Sequence, residues 1–481
     1  MFYNQCMKFV QQFLIGILLL FPVGLGMILP LSPLPEEFIL ASETLQQTVG
    51  SGKNELDLES LQTMLEFSPW RGDVWQRLGR IQLSLGRYSE AVKSFSNAEA
   101  SGQLTAEGIL WMADGLISLG EPGQAIVLLR EVSSTPDVGL FTLLQASLLQ
   151  RNLHDPQGVL STLLQGYSLE PWDPEVNYQL GLQLSASKPE EGIKYLAVAS
   201  SLSDDRASIC KSLISMIVMT AKVTNPGERF KNIGQVLSTL GELEVAQIAF
   251  QSAVDLDPGN AAAWALLAEA VQQNDQDGLQ YLKKAQELSP DDEIVNGLTA
   301  LYYRRQGKSA LALTYLEKAI AANPRAAIWE IEVAKILADE GDLASALTRY
   351  QKAVQINPRD WVPQRALAIF CIATNYELET FGLPAARIAL ELNPESPAIL
   401  DLLGAGLMLA GDLDSAESYF LRADHLDSQQ SAILIHLGQL YLAKGDRSLA
   451  FEYLRRAAEF ATESRLREMA NRLLEENGGG G

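Results

Sequence analysis

Cysteine and histidine are scarce, with three of each among 481 residues. Cys6, Cys210 and Cys371 lie far apart, which excludes a disulfide framework and a paired-cysteine metal site. His154, His425 and His436 have no partner at a spacing that suggests a catalytic triad or a metal centre, and no glycine-rich phosphate loop occurs. Nothing in the sequence calls for a cofactor, and an enzyme is not expected. Basic residues are also few: Lys plus Arg is 37 against 59 for Asp plus Glu, a net charge of −22. Such a surface repels polyanions, so a nucleic-acid partner is not expected. Hydrophobic residues at 47% and charged residues at 20% are ordinary globular proportions, which excludes a largely disordered chain. The length exceeds what one small core serves and implies two or three domains or an extended array.

Charge is missing altogether from Phe9 to Pro35, and Phe13 to Leu31 is almost wholly apolar. As a helix those nineteen residues rise about 28 Å, close to the hydrocarbon thickness of a bilayer. Pro22 is tolerated in such a span better than in a soluble helix. Lys8 precedes the span, and no basic residue follows before Lys53, so the amino end is expected in the cytoplasm and the rest outside it. The alternatives are a signal cleaved near the small residues Gly24 and Gly26, giving a secreted chain, and a buried helix of a soluble protein.

The remainder is periodic. Small residues recur 34 positions apart at Gly79, Ala113, Ser147 and Gly181, and again through Gly234, Ala268, Ala300, Ala334, Ala368, Gly404 and Gly438 at steps of 32 to 36. Twelve residues after many of these stands another small residue, as at Ala91, Ala125, Ala246 and Ala416, and prolines such as Pro258, Pro290 and Pro324 close successive units. The physical unit is a helical hairpin. Trp75, Leu78 and Gln82 step by three and four along one helix, and Ala91, Phe95 and Ala98 along the next. Gly79 and Ala91 stand where the two helices approach most closely. Gly86 and its equivalents Gly120, Gly241, Gly307, Gly341, Gly411 and Gly445 fall where the first helix ends and predict a left-handed cap there.

These positions resemble the tetratricopeptide repeat family: a large residue at position 4, Leu at 7, Gly or Ala at 8, Ala at 20, an aromatic or Leu at 24, Ala at 27 and Pro at 32. Eleven such repeats run from Gly72 to Ser464. Repeat 3 departs from the pattern with Val159 at position 20, repeat 4 has Lys188 near where the turn glycine belongs, and repeat 9 carries about two extra residues around Asn375 to Phe381. The expected fold is all-α, a right-handed superhelical solenoid preceded by one transmembrane helix. Its expected divisions are an anchor (1–35), a linker with a degenerate half-repeat (36–71), four repeats (72–205), an inserted apolar helix (206–226), seven repeats (227–464), a charged capping helix (465–477) and a glycine tail (478–481).

The resemblance implies a concave wall built from first helices, with positions 2, 5, 9, 12 and 13 facing inward. Those positions hold Leu144, Leu148, Tyr178, Leu182, Ile369, Met408, Leu409 and Leu442 as apolar candidates, and Arg304, Arg305, Lys335 and Arg365 as basic ones. The first group suits a peptide with hydrophobic anchors, unless it packs on itself or on the inserted helix. The second suits a carboxylate or acidic peptide, unless Glu332 and Asp339 neutralise it. The family's chaperone-tail clamp is not matched, because Lys231 is followed by Gln235. The expected function is a non-catalytic, membrane-anchored scaffold that binds proteins or peptides in this groove. The alternative is a structural or assembly factor of a cell-envelope complex, contacting partners through convex or terminal surfaces.

Overall fold

Helix-favouring runs between capping residues and prolines give a chain of short antiparallel helices. The computed structural model describes residues 35–48, 54–135, 138–274 and 276–478, and among them there is no strand. Eleven hairpins follow one another, from Gly72–Ser84 with Tyr88–Ala100 to Ser431–Lys444 with Arg447–Phe460. Many helices open on a side-chain cap: Asp173, Asn260 and Asp292 accept from the backbone N–H three residues on at 2.8–3.0 Å. The seven turn glycines named above adopt φ between 69° and 85°, the left-handed conformation the spacing predicts. His154 takes their place in repeat 3 with φ 55°. In repeat 4 the turn avoids positive φ: Lys188 has φ −139° and ψ 70°, and the second helix starts one residue early at Pro189.

Close approach explains the small residues. A Cβ on Gly79 would meet the Phe95 ring at 2.9 Å, and one on Gly234 the Phe250 ring at 2.6 Å. Position 4 adds a second joint. The Trp75 and Trp264 indoles and the Asn177 and Asn296 amides donate to the carbonyls of Pro69, Pro258, Pro171 and Pro290 at 2.8–2.9 Å, tying each first helix to the proline that ends the preceding unit.

The described residues divide between Met219 and Thr220 into two bodies. The first holds repeats 1–4. Ahead of them stands a complete hairpin, Glu36–Thr48 against Asn54–Phe67, where the sequence suggested a linker and a half-repeat. Its first helix lacks the repeat signature, yet Phe38 and Ala41 pack with Leu58, Leu61 and Leu65, which is reason enough for the helix to form. The inserted helix runs Asp204–Thr220 and buries Cys210, Leu213 and Ile217. The second body holds repeats 5–11. In repeat 9 the extra residues form a wide turn, with Asn375 and Glu377 at positive φ and a single π-helical turn at Leu378–Gly382. Helix Ser464–Glu476 closes the end by laying Ala470 on Leu434, Ile435 and Ala457. Among the described residues no helix is long and apolar enough to cross a membrane. The expected span, Phe13–Leu31, lies outside the described residues.

Candidate protein-binding surface

The basic candidates lie on the first helices of three consecutive repeats, Glu293–Arg305, Ala327–Asp339 and Trp361–Thr374. Three of the four are paired. Arg304 donates to Glu332, and Lys335 Nζ lies 2.7 Å from the other oxygen of the same carboxylate. Only 7% of the Glu332 side chain is exposed, so the two cations hold a largely desolvated anion between them. Arg305 donates to Glu269 Oε2 at 2.9 Å and Gln272 Oε1 at 3.0 Å. The Arg304 and Arg305 pairs cross between neighbouring repeats and the Lys335 pair lies within one helix, so the wall is a set of ion pairs and not a row of free cations. Arg365 differs: it is half-buried and makes no ion pair or side-chain hydrogen bond among the described residues. Val362 and Ile369 stand three residues before and four after it on the same helix face, both exposed. Ile328, at position 2 of repeat 8, is exposed as well.

Of the apolar candidates in the second body, Leu409 is exposed like Ile369, while Met408 and Leu442 are half-buried against the core. In the first body Tyr178 and Leu182 are buried and form no open wall. Arg206 of the inserted helix lies 4.0 Å over the Tyr178 ring and 2.5 Å from Glu175, so that helix covers the position. Leu144 is half-buried against Val159 and Val176. Leu148 remains half exposed, and Phe141, seven residues earlier on the same face, is 74% exposed. Phe141 was legible as position 2 of repeat 3 but was not singled out.

Two features escaped sequence reasoning. Trp329 is buried over Gly297, where a Cβ would meet its ring at 2.2 Å, and its indole donates to Glu293 at 2.8 Å. The wall at position 5 of repeat 7 is therefore closed by a side chain of repeat 8. His436 Nδ1 lies 2.7 Å from Asp401 Oδ1 and its ring 5.5 Å from that of Phe420. Burial pulls its pKa down, but the bond to Asp401 and that group's charge outweigh burial and raise it. Among the described residues no group of His, Cys, Asp and Glu is arranged to hold a metal ion.

Comparison with known proteins bears on the fold. Models of the tetratricopeptide repeat match residues 232–293 and 298–360, and residues 72–99 and 431–463. No curated protein matches the chain in sequence. Solved structures similar to it include yeast Tom70, at 14% identity over 91% of this chain and 95% of that one, with a TM-score of 0.43. Pseudomonas aeruginosa PilF is similar at 18% identity over 45% of this chain and 98% of that one, with a TM-score of 0.37. YrrB, described as a tetratricopeptide protein with an unusual peptide-binding site, is similar at 21% identity over 40% of this chain and 97% of that one, with a TM-score of 0.31. All three superpose weakly, and nothing of what they do passes from them to this chain.

Proposed function

Because the chain is a tetratricopeptide repeat protein, we propose that it is a non-catalytic scaffold that binds protein partners along the first-helix wall of repeats 7 to 9. The observation that carries this reading is the face Val362, Arg365, Ile369: an unpaired guanidinium between two exposed apolar side chains. It suits a peptide whose hydrophobic anchors flank a carboxylate. In a chain of net charge −22, a guanidinium without a carboxylate partner is left available to a carboxylate from outside the chain. Arg304, Arg305 and Lys335 are positioned by their glutamates.

The test is capture of partners by the full chain beside Arg365→Glu/Ile369→Asp. A stoichiometric partner lost in the double variant and retained by the exposed-loop variant Arg359→Glu supports the wall. A partner retained by both variants favours the other reading, an assembly factor that contacts its complex elsewhere. Trp172, 75% exposed in the loop before repeat 4, is the observation that speaks for that reading.

The membrane tether is part of the same proposal and rests on the uncharged run Phe13–Leu31. The array would then lie outside the cytoplasm. Resistance of the intact chain to alkaline extraction, with protease access to the repeats from outside the cell, is the expected result. Release by alkali, or protection of the repeats, would remove the tether or reverse its orientation.

A further inference from the structure

The first body carries a cleft on a different face from the wall. Its floor is the first helix of repeat 1, Gly72–Ser84, and its sides are the second helices of the hairpins before and within that repeat, Asn54–Phe67 and Tyr88–Ala100. Trp75, Leu78 and Gln82 line it from positions 4, 7 and 11, which share one side of the helix; positions 2, 5 and 9 lie on the other. Its volume is about 500 Å³, within the range of ligand sites.

The cleft has a cause in the repeat register. Positions 11 and 23 face each other across the hairpins of repeats 1, 7 and 11. In repeats 7 and 11 they are stacked tyrosines, Tyr303 with Tyr315 and Tyr441 with Tyr453, each pair 5.6 Å apart. In repeat 2 they are Leu116 and Leu128. In repeat 1 they are Gln82 and Ser94, both buried, with Ser94 Oγ donating to Gln82 Oε1 at 2.7 Å. A carboxamide and a hydroxyl leave empty the space that two rings fill. The same substitution recurs 68 residues on as Gln150 and Thr162, and a second cavity of about 200 Å³ opens against Thr162. Arg130, bonded bidentately to Asp155 at 2.6 and 2.8 Å, is among its lining residues.

We propose that the cleft over Gln82 and Ser94 is a second protein-binding site, taking an extended segment of another protein in which a large apolar side chain adjoins a lysine or arginine. The partly exposed Trp75 ring, fixed by its bond to the Pro69 carbonyl and backed by the buried Leu65 and Leu78, receives the apolar side chain. The carboxamides of Gln62 and Asn97 border the cleft and make no side-chain hydrogen bond among the described residues. Each offers both a donor and an acceptor, the pair that a peptide backbone needs. Glu66 and Glu90 stand on the rim without an ion pair, against the single cation Lys93. They meet the basic residue of the segment, and the net charge of −22 steers it in. This site does not depend on the wall of repeats 7 to 9.

The experiment is selection of a displayed library of random peptides on the full-length chain. Enriched peptides should pair an aromatic or large aliphatic residue with Lys or Arg. Their affinity should fall about tenfold or more for Gln82→Tyr/Ser94→Tyr, which fills the cleft with the pair the chain stacks elsewhere, and similarly for Glu66→Lys/Glu90→Lys. It should be unchanged by Arg365→Glu. Circular dichroism and melting establish that the tyrosine variant folds; if it does not, the charge variant, altered at exposed residues, decides. Absence of enrichment, equal binding to the filled and charge-reversed chains, or loss of binding in Arg365→Glu would overturn the proposal.

Discussion

His154 occupies the left-handed turn position that glycine fills in seven other repeats. An L side chain there costs about 1–2 kcal/mol, partly offset by the entropy that glycine would lose on folding. His154→Gly should therefore stabilise the first body by about 0.5–1 kcal/mol, read from denaturant midpoints at constant slope; a destabilised variant would show that the imidazole makes a contact worth more than the strain. His436 titrates in the opposite sense to a buried, unpaired histidine, because the Asp401 bond overcomes desolvation. Its folded pKa is raised, so its contribution is complete below the ordinary value of about 6.5 and is lost as pH rises through the folded value. Melting temperature should fall more steeply in the parent than in His436→Asn as pH is raised above the ordinary imidazole value. Equal slopes would mean that the pair does not couple to folding. The two residues were legible separately. Their bond was not, because it joins residues 35 apart in consecutive repeats.

The hairpin is the element this sequence states most clearly, since small residues, turn glycines and closing prolines repeat in three registers. In some hairpins the two positions are matched in size: Gly79 faces Phe95 and Gly234 faces Phe250, whereas Ala113 and Ala300 go with Leu129 and Leu316. The match is not general, since Gly438 faces Leu454 and Ala334 goes with Tyr350. Gly79→Ala should cost about 1–3 kcal/mol by crowding the ring, and Phe95→Leu a comparable amount by leaving a void. The double variant recreates the pair of repeat 2, so its cost should be lower than the sum by about 1 kcal/mol or more. Additive costs would show that the two positions are not in steric contact. The hairpin partner Glu36–Thr48 was missed for a related reason: its apolar face, Phe38 and Ala41, is held by packing alone and carries no repeat signature to read.

Across the whole molecule, an acidic chain places four cations on the first helices of repeats 7 to 9 and pairs two of them, Arg304 and Arg305, with glutamates of adjoining repeats. The cations were legible from the register. Glu332 was foreseen as a possible neutraliser, while Glu269 and the covering of Tyr178 by Arg206 depend on how repeats and the inserted helix stack, which no single unit records. The face proposed as the contact surface is Val362, Arg365 and Ile369, and an interaction through one guanidinium should weaken as salt is raised. The most direct test of this account places a photo-reactive residue at Ile369 and, in a second chain, at the exposed loop residue Arg359, and irradiates intact cells. The account predicts a discrete adduct with another protein from position 369, abolished by Arg365→Glu, and none from position 359. A partner that co-purifies with the chain yet forms no adduct at 369, or one that crosslinks from 359 instead, would contradict it.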